Sequence, residues 1–105
     1  VVVIGDMLEL GERSRALHRE AGLFLASKGI DVILAVGREA VPLAEAAASA
    51  SARSIVRHFG TLAALLHKDE RYVQPGDLIL VKGSRGMHME DVVKALKAWQ
   101  PREPY

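Results

Sequence analysis

The sequence contains no cysteine in its 105 residues, and its charges nearly cancel, with Lys+Arg 14 against Asp+Glu 13. The first absence removes disulfides, thiolate nucleophiles and thiolate-bound zinc, and it fits a cytosolic setting. The second leaves no electrostatic drive toward nucleic acid or an acidic membrane surface. No apolar run approaches the roughly 20 residues that a membrane-spanning helix needs, so no membrane insertion is expected. Val1-Val2-Val3-Ile4 also lacks the basic flank and cleavage site of a secretory signal.

Several catalytic signatures are missing too. His18, His58, His67 and His88 are scattered without H-x-x-x-H or H-E-x-x-H spacing, so no metal site is expected. There is no G-x-x-x-x-G-K-[ST] phosphate loop, no G-x-G-x-x-G dinucleotide fingerprint and no G-x-S-x-G nucleophile elbow. A phosphoacceptor receiver domain would need an aspartate after the middle strand, where Val36-Gly37-Arg38 stands instead.

What is present is an ordinary globular composition, 50% hydrophobic and 26% charged, of a length that suits one compact domain. Val1 stands in the middle of an apolar run without an initiator methionine, which suggests a piece cut from something longer. Four short apolar runs, Val1 to Ile4, Val32 to Val36, Ile55 to Val56 with Phe59, and Leu78 to Val81, are continuous rather than alternating. That is the habit of strands buried on both faces of a parallel sheet.

Helical periods fill the intervals. Leu17, Ala21, Phe24 and Leu25 predict one apolar stripe, with Arg15, Arg19 and Glu20 opposite, Ser14 as N-cap and Gly29 closing the helix. Glu39 to Ala50 carries Pro42 in its first turn and is alanine-rich, suited to close packing. Thr61 is placed to cap a helix bearing Leu62, Leu65 and Leu66, and Gln74-Pro75-Gly76-Asp77 predicts a turn. Met89, Val92, Val93 and Leu96 form a last stripe, with Glu90 and Asp91 early and Lys94 and Lys97 late, as the helix dipole favours. Pro101 to Tyr105 reads as a tail. The pattern is βαβαβαβα, an α/β fold with an open, mostly parallel sheet flanked by helices.

In such sheets ligands bind beyond the carboxyl ends of the strands. Two loops there are chemically dense. Lys82-Gly83-Ser84-Arg85-Gly86 combines backbone access, a hydroxyl and two fixed cations, suited to a carboxylate or phosphate. The plain alternative is that its glycines turn the chain and its cations are solvated. Gly5-Asp6-Met7-Leu8-Glu9-Leu10-Gly11-Glu12 places two carboxylates between two glycines and a third directly after them. Asp6 and Glu9 can hold a hydroxyl, an ammonium or a hydrated cation, or the acids can simply favour a nearby helix start. His18 is expected on the surface or in packing, with contact to the Asp6 loop as the second reading.

The segments from Val3 to Glu12 with His18, then Val36-Gly37, then Gly76 to Arg85 with Met89-Glu90, resemble the C-terminal domain of the Mur ligase family in its MurF branch. The motifs G-D-M-x-E-L-G and V-K-G-S-R, in this order, carry that resemblance over nearly the whole chain. It implies a Rossmann-like domain across residues 1–105, N-terminally truncated, from an ATP-dependent amide ligase of cytoplasmic peptidoglycan synthesis. ATP and magnesium would be bound mainly by a central phosphate-loop domain outside this stretch, and UDP-N-acetylmuramoyl-tripeptide by an N-terminal one. The resemblance further implies that Lys82, Gly83, Ser84 and Arg85 face the incoming D-alanyl-D-alanine, with Ser84 and Arg85 on its carboxylate. Asp6 and Glu9 would lie on the rim facing the domain cleft as orienters, no catalytic residue would lie in this stretch, and alone it would be inactive. The competing reading is a standalone α/β module that binds a nucleotide or small anion without chemistry.

Overall fold

Strands covered on both faces must be apolar throughout, and the two most continuous runs occupy the centre of the sheet. A computed structural model describes residues 1–51, 53–68, 72–74 and 76–98. In it β1 (Val2–Gly5) and β2 (Val32–Val36) are buried along their whole length. β3 (Ile55–Phe59) and β4 (Leu80–Lys82) flank them, and both are largely exposed. All pairings are parallel, in the order β3-β2-β1-β4.

Register sorts the side chains onto two faces. Val2 pairs with Ile33 and Ile4 with Ala35, and these four pack with Leu43, Ala44 and Ala47. That face is covered by α1 (Ser14–Ser27) and α2 (Val41–Ala50). Val3, Leu34 and Val36 point the other way, against Leu65 of α3 (Leu62–Lys68) and Val92 of α4 (Glu90–Ala98). Completely buried Ile33, Leu34 and Val36 each contribute about 1.5–3 kcal/mol by leaving water, so β2 is the anchor of the domain.

The first helix keeps Ala21 and Leu25 of its expected stripe against the core but departs from it at Phe24. Phe24 is 60% exposed, with the Lys28 ammonium 4.9 Å from its ring centroid, while Ser14, His18 and Gly22 are buried. The physical reason is close helix packing. A Cβ on Gly22 would overlap the Leu43 carbonyl of α2, so α1 turns its small residues inward and its phenylalanine outward. Ser14 is not the N-cap either: that position is Arg13, without a side-chain cap, and Ser14 faces His18 inside the first turn.

The remaining helix ends follow local chemistry. Gly29 takes φ +67 just after α1, and Pro42 opens α2. Thr61 Oγ1 accepts the Ala64 N–H at 3.2 Å as the cap of α3. Of the predicted turn at 74–77, Pro75 lies outside the described residues. The Asp77 N–H donates to the Gln74 carbonyl at 3.0 Å, and Asp77 Oδ2 accepts the Gln74 N–H at 2.8 Å. This turn delays β4, which begins at Leu80 rather than Leu78. Leu78 is 89% exposed and Leu80, in register with Val2 on the α1 face, is 56% exposed, because no described helix covers β4 there. The expected tail, Pro101 to Tyr105, lies outside the described residues.

Chain direction reverses once. β1, β2 and β3 step one way across the sheet, and β4 then returns to the far side of β1. That reversal puts a topological switch point at the carboxyl ends of β1 and β4, where open α/β sheets bind ligands.

Candidate functional site

Ile4 lies in register with Lys82, so the loops leaving β1 and β4 start side by side. They are bonded to each other: the Ser84 N–H donates to the Asp6 carbonyl at 3.2 Å, and the Leu8 N–H donates to Ser84 Oγ at 2.9 Å. Met89, 6% exposed, sits beneath both. A Cβ on Gly5 would stand 2.8 Å from Met89 Sδ, and one on Gly83 would stand 2.6 Å from Met89 Cγ. Two glycines are needed here for a packing reason, so that the backbones can settle over the thioether.

Above them lies an open depression of about 320 Å³, lined by Lys82, Gly83, Ser84, Met89, Glu90 and Val93. A second, of about 200 Å³, adjoins it between Gly5, Met7 and the same loop. Lys82 is exposed at the end of β4, and among the described residues no carboxylate lies within 4.0 Å of its ammonium. Ser84 is half-buried. Its oxygen accepts the Leu8 N–H, which leaves the hydroxyl proton to donate elsewhere. A cation beside a hydroxyl donor, with glycine backbone between, is a receptor for a carboxylate or phosphate oxygen. Arg85 opens the 3-10 turn Arg85–Met87 in the same loop; its side chain lies outside what is described.

The acids of the other loop are divided. Asp6 is 6% exposed, and its Oδ1 accepts the Ala40 N–H at 2.8 Å. Ala40 is the N-cap of α2, whose first N–H groups lack partners within the helix, so the carboxylate serves them and the positive end of the helix dipole. The structure therefore turns Asp6 inward beneath the loop instead of onto its rim. Gly37 lies against this carboxylate at φ +108, and a Cβ there would overlap it. Glu9 does stand at the surface, in the left-handed region at φ +62.

Sequence reasoning missed two contributors. Met89 was expected only as core and is the floor of the site, while Glu90 was expected only as a dipole partner and lines its wall. His18, expected first on the surface or in packing, is completely buried, and its Nε2 accepts the Met7 N–H at 3.0 Å. The Ser14-x-x-x-His18 spacing carried a signal, since it puts a hydroxyl and an imidazole on one helix face. Among the described residues no group of three or more His, Asp or Glu side chains is placed to hold a metal ion. No described helix is long and apolar enough to cross a membrane.

Comparison with known proteins agrees with this fold. The profile of the Mur ligase family described as "Mur ligase, glutamate ligase domain" matches residues 1–85, which include both loops. The UDP-N-acetylmuramoyl-tripeptide–D-alanyl-D-alanine ligase of Bacillus subtilis (strain 168) is 36% identical over 96 residues, 91% of this chain and 21% of the relative. The ligase of the same name from Escherichia coli (strain K12) is 37% identical over 99 residues, 92% of this chain and again 21% of the relative. Among solved structures, a crystal structure of MurF from Acinetobacter baumannii superposes with a TM-score of 0.75 at 34% identity. It is matched over 90% of this chain and 21% of its own. The chain thus spans 21% of the length of these relatives.

Proposed function

Because the chain belongs to the Mur ligase family, we propose that it is the C-terminal, substrate-side domain of a ligase that joins D-alanyl-D-alanine to UDP-N-acetylmuramoyl-tripeptide. The observation that carries this reading is the Lys82-Gly83-Ser84 loop at the switch point, with an ammonium that has no carboxylate partner among the described residues and a hydroxyl whose proton remains to donate, beside an open depression. The relatives' names supply the substrates.

In this reading the tripeptide's terminal carboxylate takes a phosphoryl group from ATP, giving an acyl phosphate and ADP. The dipeptide amine then attacks the acyl carbon, the tetrahedral intermediate collapses, and the C–O bond to phosphate breaks as the amide forms. The amine's surplus proton leaves to solvent or a base. Lys82, Ser84 and Arg85 hold the dipeptide carboxylate, so their contribution is orientation of the nucleophile at the other end of a small zwitterion. Glu9 stands at the surface of the neighbouring loop as an orienter toward the domain cleft.

ATP and magnesium belong, in this reading, to the rest of a longer protein. This chain has no phosphate-loop motif, and its described residues bring no three His, Asp or Glu side chains together to hold a metal ion. The exposed Leu78 and Leu80 on the uncovered face of β4 suit contact with further chain. A nucleotide-linked precursor and an ATP requirement place the reaction in the cytoplasm, in service of cell-wall growth, shape and division.

The test is ligation by the full-length ligase with ATP, UDP-tripeptide and D-alanyl-D-alanine, using this chain alone as control. Arg85→Ala should raise the dipeptide KM about tenfold or more, the cost of a lost charge-assisted hydrogen bond. An unchanged dipeptide KM would remove the carboxylate assignment. Turnover by the 105-residue chain alone would overturn its place as one domain of a larger enzyme.

A further inference from the structure

The buried imidazole of His18 takes no part in the ligation as proposed, yet its hydrogen bonds are fully specified. Its Nδ1 lies 2.8 Å from the Ser14 carbonyl oxygen, which can only accept, so Nδ1 carries a proton. Its Nε2 lies 3.0 Å from the Met7 backbone nitrogen, which can only donate, so Nε2 is bare. Two neighbours of opposite kind therefore select one neutral tautomer. The Ser14 hydroxyl, 3.2 Å from Nδ1, shares the same proton.

The contacts continue outward from there. Leu8, the residue after Met7, donates its N–H to Ser84 Oγ at 2.9 Å, and the Ser84 N–H returns to the Asp6 carbonyl at 3.2 Å. A line of hydrogen bonds thus runs from the first turn of α1 through the imidazole and two successive peptide groups to the Ser84 hydroxyl. Nothing else on α1 reaches the Met7 amide, and the loop between Gly5 and Gly11 has no secondary structure of its own to hold it.

We propose that His18 is a positioning residue for the dipeptide carboxylate: as the Nδ1-protonated imidazole it fixes the Met7–Leu8 backbone and, through it, the direction in which Ser84 donates. This rests on the reading that Ser84 meets that carboxylate. The role demands an acceptor at the position of Nε2, whereas a packing role demands only volume.

The experiment compares His18→Gln, His18→Asn and His18→Leu in the full-length ligase. Glutamine can bring an amide oxygen to the place of Nε2, asparagine is too short to do so, and leucine offers no acceptor. His18→Leu and His18→Asn should raise the KM for D-alanyl-D-alanine about tenfold and leave that for UDP-tripeptide within about twofold, while His18→Gln stays near wild type. Selective 15N-histidine labelling of the wild-type ligase should show the Nδ1–H tautomer, and hydrogen exchange across residues 5–11 should speed up in His18→Leu and His18→Asn but not in His18→Gln. An Nε2–H tautomer, or a glutamine variant as impaired as the leucine one, overturns the proposal, and the tautomer arm decides even if His18→Leu does not fold. If exchange follows this pattern but Ser84→Ala leaves the dipeptide KM unchanged, the carboxylate reading has failed and the backbone relay stands.

Discussion

The two loops that meet at the switch point handle their polar groups in opposite ways. The loop after β1 turns most of them inward, Asp6 to the Ala40 N–H, the Met7 N–H to His18 and the Leu8 N–H to Ser84, and leaves Glu9 at the surface. The loop after β4 turns them outward, with Lys82 exposed and the Ser84 proton free to donate. One loop is scaffold and the other presents. Proximity to a site therefore does not make a charged residue part of its chemistry, and the buried hydrogen-bond partner tells the two cases apart.

That contrast makes graded predictions. Asp6→Ala, on the scaffold side, should have the largest effect on folding, about 2–3 kcal/mol lost in urea denaturation, because the Ala40 N–H is left without its charged acceptor. A stability change below that of the Lys82 variant would break the distinction. Ser84→Ala straddles the two loops, and should lose about 1 kcal/mol by the same measurement and also raise the dipeptide KM of the full-length ligase about tenfold. Lys82→Met, on the presenting side, should leave stability within about 0.5 kcal/mol while weakening the dipeptide several-fold, an effect that shrinks with added salt. Lys28→Met sets the floor: an exposed cation over Phe24 should be worth about 0.5 kcal/mol or less, with no change in ligand affinity.

The same contrast explains what could be read before the structure was known. The strands of the centre were legible because burial on both faces demands unbroken apolar residues, and Val32 to Val36 has nothing else. The loops were legible as candidates because glycine, charge and hydroxyl cluster there just as a strand ends. Phe24 was misplaced because periodicity counts apolar residues and takes no account of how near a neighbouring helix must come, which here is set by Gly22 against Leu43. β4 began later than its apolar run because the turn at 74–77 delays it, and the apolar run gave no sign that Leu78 and Leu80 lie on a face that no described helix covers. Asp6 was illegible in its role because its partner, Ala40, is a backbone amide, which carries no mark in the sequence, while for His18 the contact with the Asp6 loop was open as a second reading but the Met7 amide as its partner was not legible.

The strand order also bears on how the domain comes into being. Among the described strands β1 comes earliest in the chain, but its neighbour on one side, β4, comes after the other three, so Val2 waits for Leu80. During translation β1 and β2 can pair early across a single helix, while the β4 side of β1 stays an open edge until the β4 segment has emerged. Closure across so long a loop is slow compared with local helix formation. The two loops at the switch point are joined only by that pairing, so they meet after β1 and β2 have paired.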